Sequence, residues 1–182
     1  MQTQIVSLKN RAYAQTRSFT VQLAQSCTHE LTLHTNLATA GVSSRTTEQR
    51  IFRAQSVMRY FQPRLFRALT GNSWKRFPNK RPIFIAALEG SQSQHRYSTL
   101  HWHIIIGNLP QHITTNILLD TAHSIWPKHP DASTNIEAQT LYDATGYANY
   151  ISKDLKKFNY DCIDYSFFQA PSTTIDTLPA CS

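Results

Sequence analysis

Residues Ser98–Asn108 read STLHWHIIIGN, a short apolar run that carries two histidines around one tryptophan. In a strand, residues i and i+2 point to the same face. Trp102, Ile104 and Ile106 therefore face a core, and His101 and His103 project together from the other side, about 7 Å apart at Cα. A second apolar run, IFIAALEG (Ile83–Gly90), precedes it across the polar connector SQSQHRYS. The two runs predict an antiparallel hairpin with a long loop.

The rest of the chain supplies partners for that hairpin. RSFTVQLAQ (Arg17–Gln25) alternates and is expected as the first strand, with Phe19, Val21 and Leu23 on one face. HELTLHTNLATAGVSS after it reads as a polar strand continuation or a loop. Residues 46–71 predict a helix capped by Thr46 or Thr47, with Ile51, Ala54, Met58, Phe61 and Leu65 as its apolar stripe. Pro63 is expected to kink or divide it. GNSWKRFPNKRP reads as a basic loop. Thr114–Trp126 is helical, STNIEAQTLYD is a fourth strand, and Ala144–Phe158 is a helix. The order β-α-β-β-α-β-α predicts an α+β fold, a central antiparallel sheet with helices packed on it. Residues 1–158 form one domain; 159–182 are a tail, extended or packed on it.

Composition agrees. The chain has 182 residues, 41% hydrophobic and only 16% charged, which suits one folded domain. No apolar run approaches the roughly 18 residues of a membrane span. The first residues, MQTQIVSLKNRAYAQ, lack the apolar block of a signal peptide. Cys27, Cys162 and Cys181 are odd in number and widely spaced, which suits neither a disulfide framework nor a zinc knuckle and predicts a reducing cytoplasm. The formal charge is +7, and its distribution is uneven. Between Gln49 and Arg81 there are nine basic residues and no acid, so the remainder nets −2. Such asymmetry favours a polyanion, most often nucleic acid. Arg53, Arg64, Arg67, Lys75, Arg76, Lys80 and Arg81 are the expected phosphate contacts, with Trp74 or Phe77 stacking on bases.

Two imidazoles at this separation either hydrogen-bond separately or converge on one metal ion. Glu89 favours the ion. It ends the strand before the histidines, on the face of Ile83, Ile85 and Ala87, where pairing sets it beside His101. Two histidines and a carboxylate with open positions suit a hard or borderline divalent ion that also holds substrate oxygens. His95 in the connector is a substitute ligand. A cupin site would need a glutamate three or four residues past His103, where Ile106 and Gly107 stand. On the helix from Ala144, the residues Ala144, Tyr147, Ile151, Leu155 and Phe158 share a packing stripe. Tyr150, Lys153 and Lys157 share the adjacent face. Tyr147 is thus a packing residue, and Tyr150 with Lys153 makes a candidate nucleophile and its electrostatic helper.

The combination of His101-Trp102-His103 on a strand, Glu89 on the strand before, and Tyr150-Ile151-Ser152-Lys153 on a later helix resembles the HUH endonucleases. The likeness is to their single-tyrosine replication initiators of rolling-circle plasmids, phages and small single-stranded DNA viruses. It covers roughly residues 17–158, with RSFTVQLAQ in the place of the family's first motif. The resemblance implies a Rep-like, ferredoxin-like or RRM-like sheet. It also implies Mg²⁺ or Mn²⁺ on Glu89, His101 and His103, and attack by Tyr150 to leave a 5′-phosphotyrosine. The implied partners are single-stranded or hairpin origin DNA and a host helicase and polymerase, with no membrane. The implied place is the bacterial cytoplasm, or the nucleus for a virus of eukaryotes. No P-loop is present in the sequence, so no attached helicase is expected. The same kit serves transposases and relaxases, and a nucleic-acid-binding module without chemistry, its histidines structural or zinc-bound, is the rival.

Overall fold

A computed structural model describes residues 14–91, 98–153 and 163–171 of the chain. The elements in order are α1 (residues 14–24), β1 (Cys27–Ala38), α2 (Ser44–Thr70), α3 (Ser73–Arg76), β2 (Ile83–Glu89), β3 (Thr99–Gly107), α4 (Thr115–Ile125), β4 (Ala132–Thr140) and α5 (Ala144–Ile151). The four strands form one antiparallel sheet in the order β2-β3-β1-β4, with helices on it, so the chain is α+β. From β1 onward the order is the expected β-α-β-β-α-β-α, with α3 as a four-residue addition. No helix among the described residues is long and apolar enough to cross a membrane.

β3 lies inside the sheet, between β2 and β1. Trp102, Ile104 and Ile106 are fully buried on one face, with Leu31 and Leu33 of β1 and Phe84 and Ala86 of β2. α2 and α4 cover that face through Val57, Met58, Phe61, Leu65, Leu118 and Ala122. The opposite face carries His101 and His103 and, further along, a second cluster around Ile83, Ile85 and Ile105. α1 and α5 pack there through Leu23, Ala24, Ala148 and Ile151.

Several expectations change. RSFTVQLAQ is not a strand: all of it but Gln25 lies in α1, and β1 is formed by the following CTHELTLHTNLA. Phe19 and Leu23 are also four apart, and the most buried positions, Thr20, Leu23 and Ala24, have helical spacing. The Thr20 hydroxyl donates to the Thr16 carbonyl one turn back, at 2.8 Å. In β1 the burial alternates over almost its whole length, the signature of a half-buried strand. Pro63 does not divide α2, which runs unbroken through it from an N-cap at Ser43, not Thr46 or Thr47. Pro63 and Arg59 both face solvent, so the carbonyl that proline leaves unpaired meets water, while apolar residues on either side hold both halves to the sheet. GNSWKRFPNKRP is not a plain loop, since α3 and a 3₁₀ turn at Pro78–Lys80 shape it.

α5 stops at Ile151 with Ser152 as its C-cap, so the α-helix does not extend from Ala144 to Phe158 as one unit. Leu155, Lys157 and Phe158 lie outside the described residues, as do His95 and residues 172–182. Residues 163–170 cover the free edge of β2, where Phe84 exchanges both backbone hydrogen bonds with Gln169 and the Asp164 N–H donates to the Ala86 carbonyl.

Gly90 closes the end of β2 at a φ of +96°, and a Cβ there would meet the Thr99 carbonyl oxygen at 2.4 Å. Its carbonyl also accepts from the Thr39 hydroxyl at 2.7 Å. Gly90→Ala should therefore cost about 2 kcal/mol or more, because the strained backbone and the clash add. Chemical denaturation measures this, and an unchanged midpoint would contradict the geometry.

Candidate metal centre

Antiparallel pairing places Glu89 directly opposite His101, and His103 opposite Ala87. Three side chains from two adjacent strands thus meet at one end of the hairpin. Glu89 Oε2 lies 3.0 Å from His103 Nε2 and 3.8 Å from His101 Nε2. One ligand atom from each of the three falls within 4.8 Å of the other two, a spacing that a single metal ion can span. The Lys153 ammonium, just past the end of α5, reaches the other carboxylate oxygen, Oε1, at 2.6 Å. His103 first, and then Lys153, hold the Glu89 carboxyl down at about 2 against the opposing effect of burial.

The ring orientations suit metal ligation. His101 Nδ1 lies 3.1 Å from the Thr99 carbonyl, which can only accept, so Nδ1 carries the proton and Nε2 keeps its lone pair. His103 Nδ1 lies 3.2 Å from the Thr32 hydroxyl and 3.3 Å from the Tyr147 hydroxyl. Its Nε2 is buried and, among the described residues, has no aligned hydrogen bond despite its closeness to Glu89. Two lone pairs face each other there unless a proton or a cation lies between them. The buried, unpartnered nitrogen and the ionised carboxylate are what a divalent ion would satisfy.

β1 contributes a wall. His34 pairs with His101, and the two rings stack at 5.0 Å and 17°. A register shift in β1 beyond His34 accompanies this, and the buried Trp126 indole donates to the His34 carbonyl at 2.8 Å. Burial depresses the pKa of both His34 and His101, which favours neutral, ligating imidazole. Sequence reasoning assigned no role to His34 or Thr32. Their signal was the strict alternation Glu30-Leu31-Thr32-Leu33-His34.

α5 brings up the tyrosines. Asp143 caps it by accepting from the Gly146 N–H at 2.8 Å. Tyr147 packs against the second apolar cluster, and burial, reinforced by the Glu30 charge, raises its phenol pKa. Tyr150 is 44% exposed and its ring is 5.2 Å from that of His103. Lys153 lies 3.7 Å from the Tyr150 ring centroid. Burial lowers the lysine pKa, but its bonds to Glu89 and Tyr150 outweigh this and keep it raised. Glu89, His101, His103, Tyr150 and Lys153 thus form one constellation.

The basic residues do not join it. Arg53, Arg64 and Arg67 belong to α2, on the far side of the sheet, and Arg53 is ion-paired with Asp131. Lys75 and Arg76 end α3, and Lys80 and Arg81 lead into β2 at the end opposite Glu89, about 20 Å along the strand. Trp74 packs edge-on against Phe66, which leaves Phe77 as the exposed aromatic. Comparison with protein-family models, with curated proteins and with solved structures finds no match.

Thr32 and Tyr147 orient His103, so losing their hydroxyls should loosen a metal ligand. Thr32→Val with Tyr147→Phe should weaken divalent-ion affinity about tenfold, whereas Thr32→Ser should retain it. Calorimetric titration with Mn²⁺ measures this, and equal affinity in all variants would show that the two hydroxyls do not set the ring.

Proposed function

We propose that the chain is a divalent-metal-dependent enzyme that nicks and rejoins single-stranded DNA through a tyrosine-linked intermediate, the chemistry of the HUH endonucleases its motifs resemble. The observation that carries this reading is the meeting of Glu89, His101 and His103 with Tyr150 and Lys153. A metal site alone suits many proteins; an exposed phenol beside it, with an ammonium against its ring, suits nucleophilic attack on phosphate.

Mg²⁺ or Mn²⁺ held by the three side chains would supply positive charge to the non-bridging phosphate oxygens. Tyr150 attacks phosphorus through its phenolic oxygen, whose proton passes to solvent. The bond to the 3′ oxygen breaks as the new P–O bond forms. The departing oxygen takes a proton, which leaves a free 3′-OH and a 5′-phosphotyrosine. One phosphodiester is exchanged for another, so the 3′-OH can reverse the attack and rejoin the strand. Lys153 attracts the negative charge of the attacking oxygen and anchors Glu89. Tyr147, turned into the packing and held at His103, does not serve as the nucleophile.

Initiation of rolling-circle replication is the role the motif resemblance favours, with a host helicase and polymerase extending the 3′-OH. Transposition or strand transfer uses the same chemistry.

Incubating the chain with labelled single-stranded DNA and Mg²⁺ or Mn²⁺ should yield a covalent protein–DNA adduct on a denaturing gel. Tyr150→Phe should abolish the adduct and leave DNA affinity nearly unchanged, since one hydroxyl is lost. His101→Ala, or an excess of chelator, should also abolish it. An adduct formed by Tyr150→Phe would refute the nucleophile, and nicking in excess chelator would refute the metal.

A further inference from the structure

A second cluster of cations lies on the opposite layer of the molecule. Tyr60, Arg64, Arg67 and Ala68 of α2, with Ile125 at the end of α4 and Lys128 in the 3₁₀ turn that follows it, line a cleft of about 360 Å³. Three of these six residues are cationic and none is acidic. Among the described residues, none of the three cations is in an ion pair, whereas Arg53, on the same stripe of α2, is neutralised by Asp131.

The lining has two characters. Tyr60, Ala68 and the buried Ile125 make an apolar floor. The Arg64 guanidinium lies 3.8 Å from the Tyr60 ring centroid and donates to the Tyr60 carbonyl at 2.8 Å, which fixes its plane. A fixed guanidinium plane on an aromatic ring is a surface on which a planar base stacks. Arg67 and Lys128 keep their donors for an anion. An acidic peptide would use the charges but leave the stacking surface without a partner. A bare phosphate would fill little of the volume.

We infer that this cleft binds a nucleoside phosphate, its base on the Tyr60–Arg64 floor and its phosphate on Arg67 and Lys128. Two sources share that chemistry, a nucleotide within a bound single strand and a free nucleoside triphosphate. The sheet and the roughly 10 Å thickness of α2 separate the cleft from Glu89. A single strand occupying both would have to pass around the edge of the domain.

The test pairs the full chain with an Arg67→Glu/Lys128→Glu variant, both substitutions on exposed side chains, and titrates a labelled oligothymidylate and, separately, ATP. Binding is read without divalent metal, so a missing covalent adduct would overturn the tyrosine chemistry and leave this result standing. Loss of about tenfold or more in oligothymidylate affinity, with the slope of log K against log salt shallower by about one to two, places a strand nucleotide in the cleft. Loss of ATP binding alone makes it a free-nucleotide site. Arg67→Gln serves if the double reversal lowers the unfolding temperature. Unchanged binding of both ligands by a folded variant overturns the inference, as does polyglutamate competing as well as the oligonucleotide.

Discussion

The register of β3 between β2 and β1 is the constraint on which the other features rest. One face of that strand buries Trp102, Ile104 and Ile106 completely, and the other aims His101 and His103 at Glu89. A slip of one residue would exchange the faces, putting the indole in the site and the imidazoles in the core. The apolar burial that stabilises the sheet therefore also holds the histidines in register. The β2 register does the same for Glu89, because Ile83 and Ile85 share its face and are buried in the second cluster.

The charge balance at the site depends on where α5 ends. Glu89 is half-buried yet ionised, which requires positive partners. Lys153 is available because the chain leaves the α-helix at Ser152, whose hydroxyl turns back to the Ala148 carbonyl at 2.7 Å. The ammonium then reaches Glu89 and the Tyr150 ring together. A carboxylate shared between a lysine and two imidazoles keeps one oxygen for each task. Oε1 is bound to the lysine, and Oε2 faces the two imidazole nitrogens.

Much of this was legible in the sequence, for definite reasons. The alternation in β3, the apolar run of β2 and the stripe of α2 are local patterns, and burial follows them closely. Placing Glu89 beside His101 needed only the hairpin. The first strand was misplaced because Phe19, Val21 and Leu23 fit a period of two while Phe19 and Leu23 also fit a helix turn. The division expected at Pro63 does not occur, because a helix continues through proline where the freed carbonyl lies on its exposed side, and that depends on which side packs. Thr32 and His34 were missed because their contacts need β1 beside β3, a long-range pairing that no short window contains. Lys153 was expected to serve the Tyr150 phenolate or the metal site, and its bond to Glu89 depends on where the helix ends.

The sequence also made the acid-free stretch look like one surface, and the fold divides it. Each residue of α2 is turned about 100° from the one before, so Arg64 and Arg67 share an outer stripe while Leu65 and Phe66 between them are buried. The sheet then lies between that stripe and the histidines. Screening at physiological salt has a length of about 8 Å, so charges on the far side of α2 have little direct effect at Glu89. Lys153 is the cation that contacts the carboxylate, and it comes from outside the acid-free stretch. In the proposed function, attraction of a polyanion and stabilisation of charge at the site are therefore separate tasks, assigned to different residues on different layers.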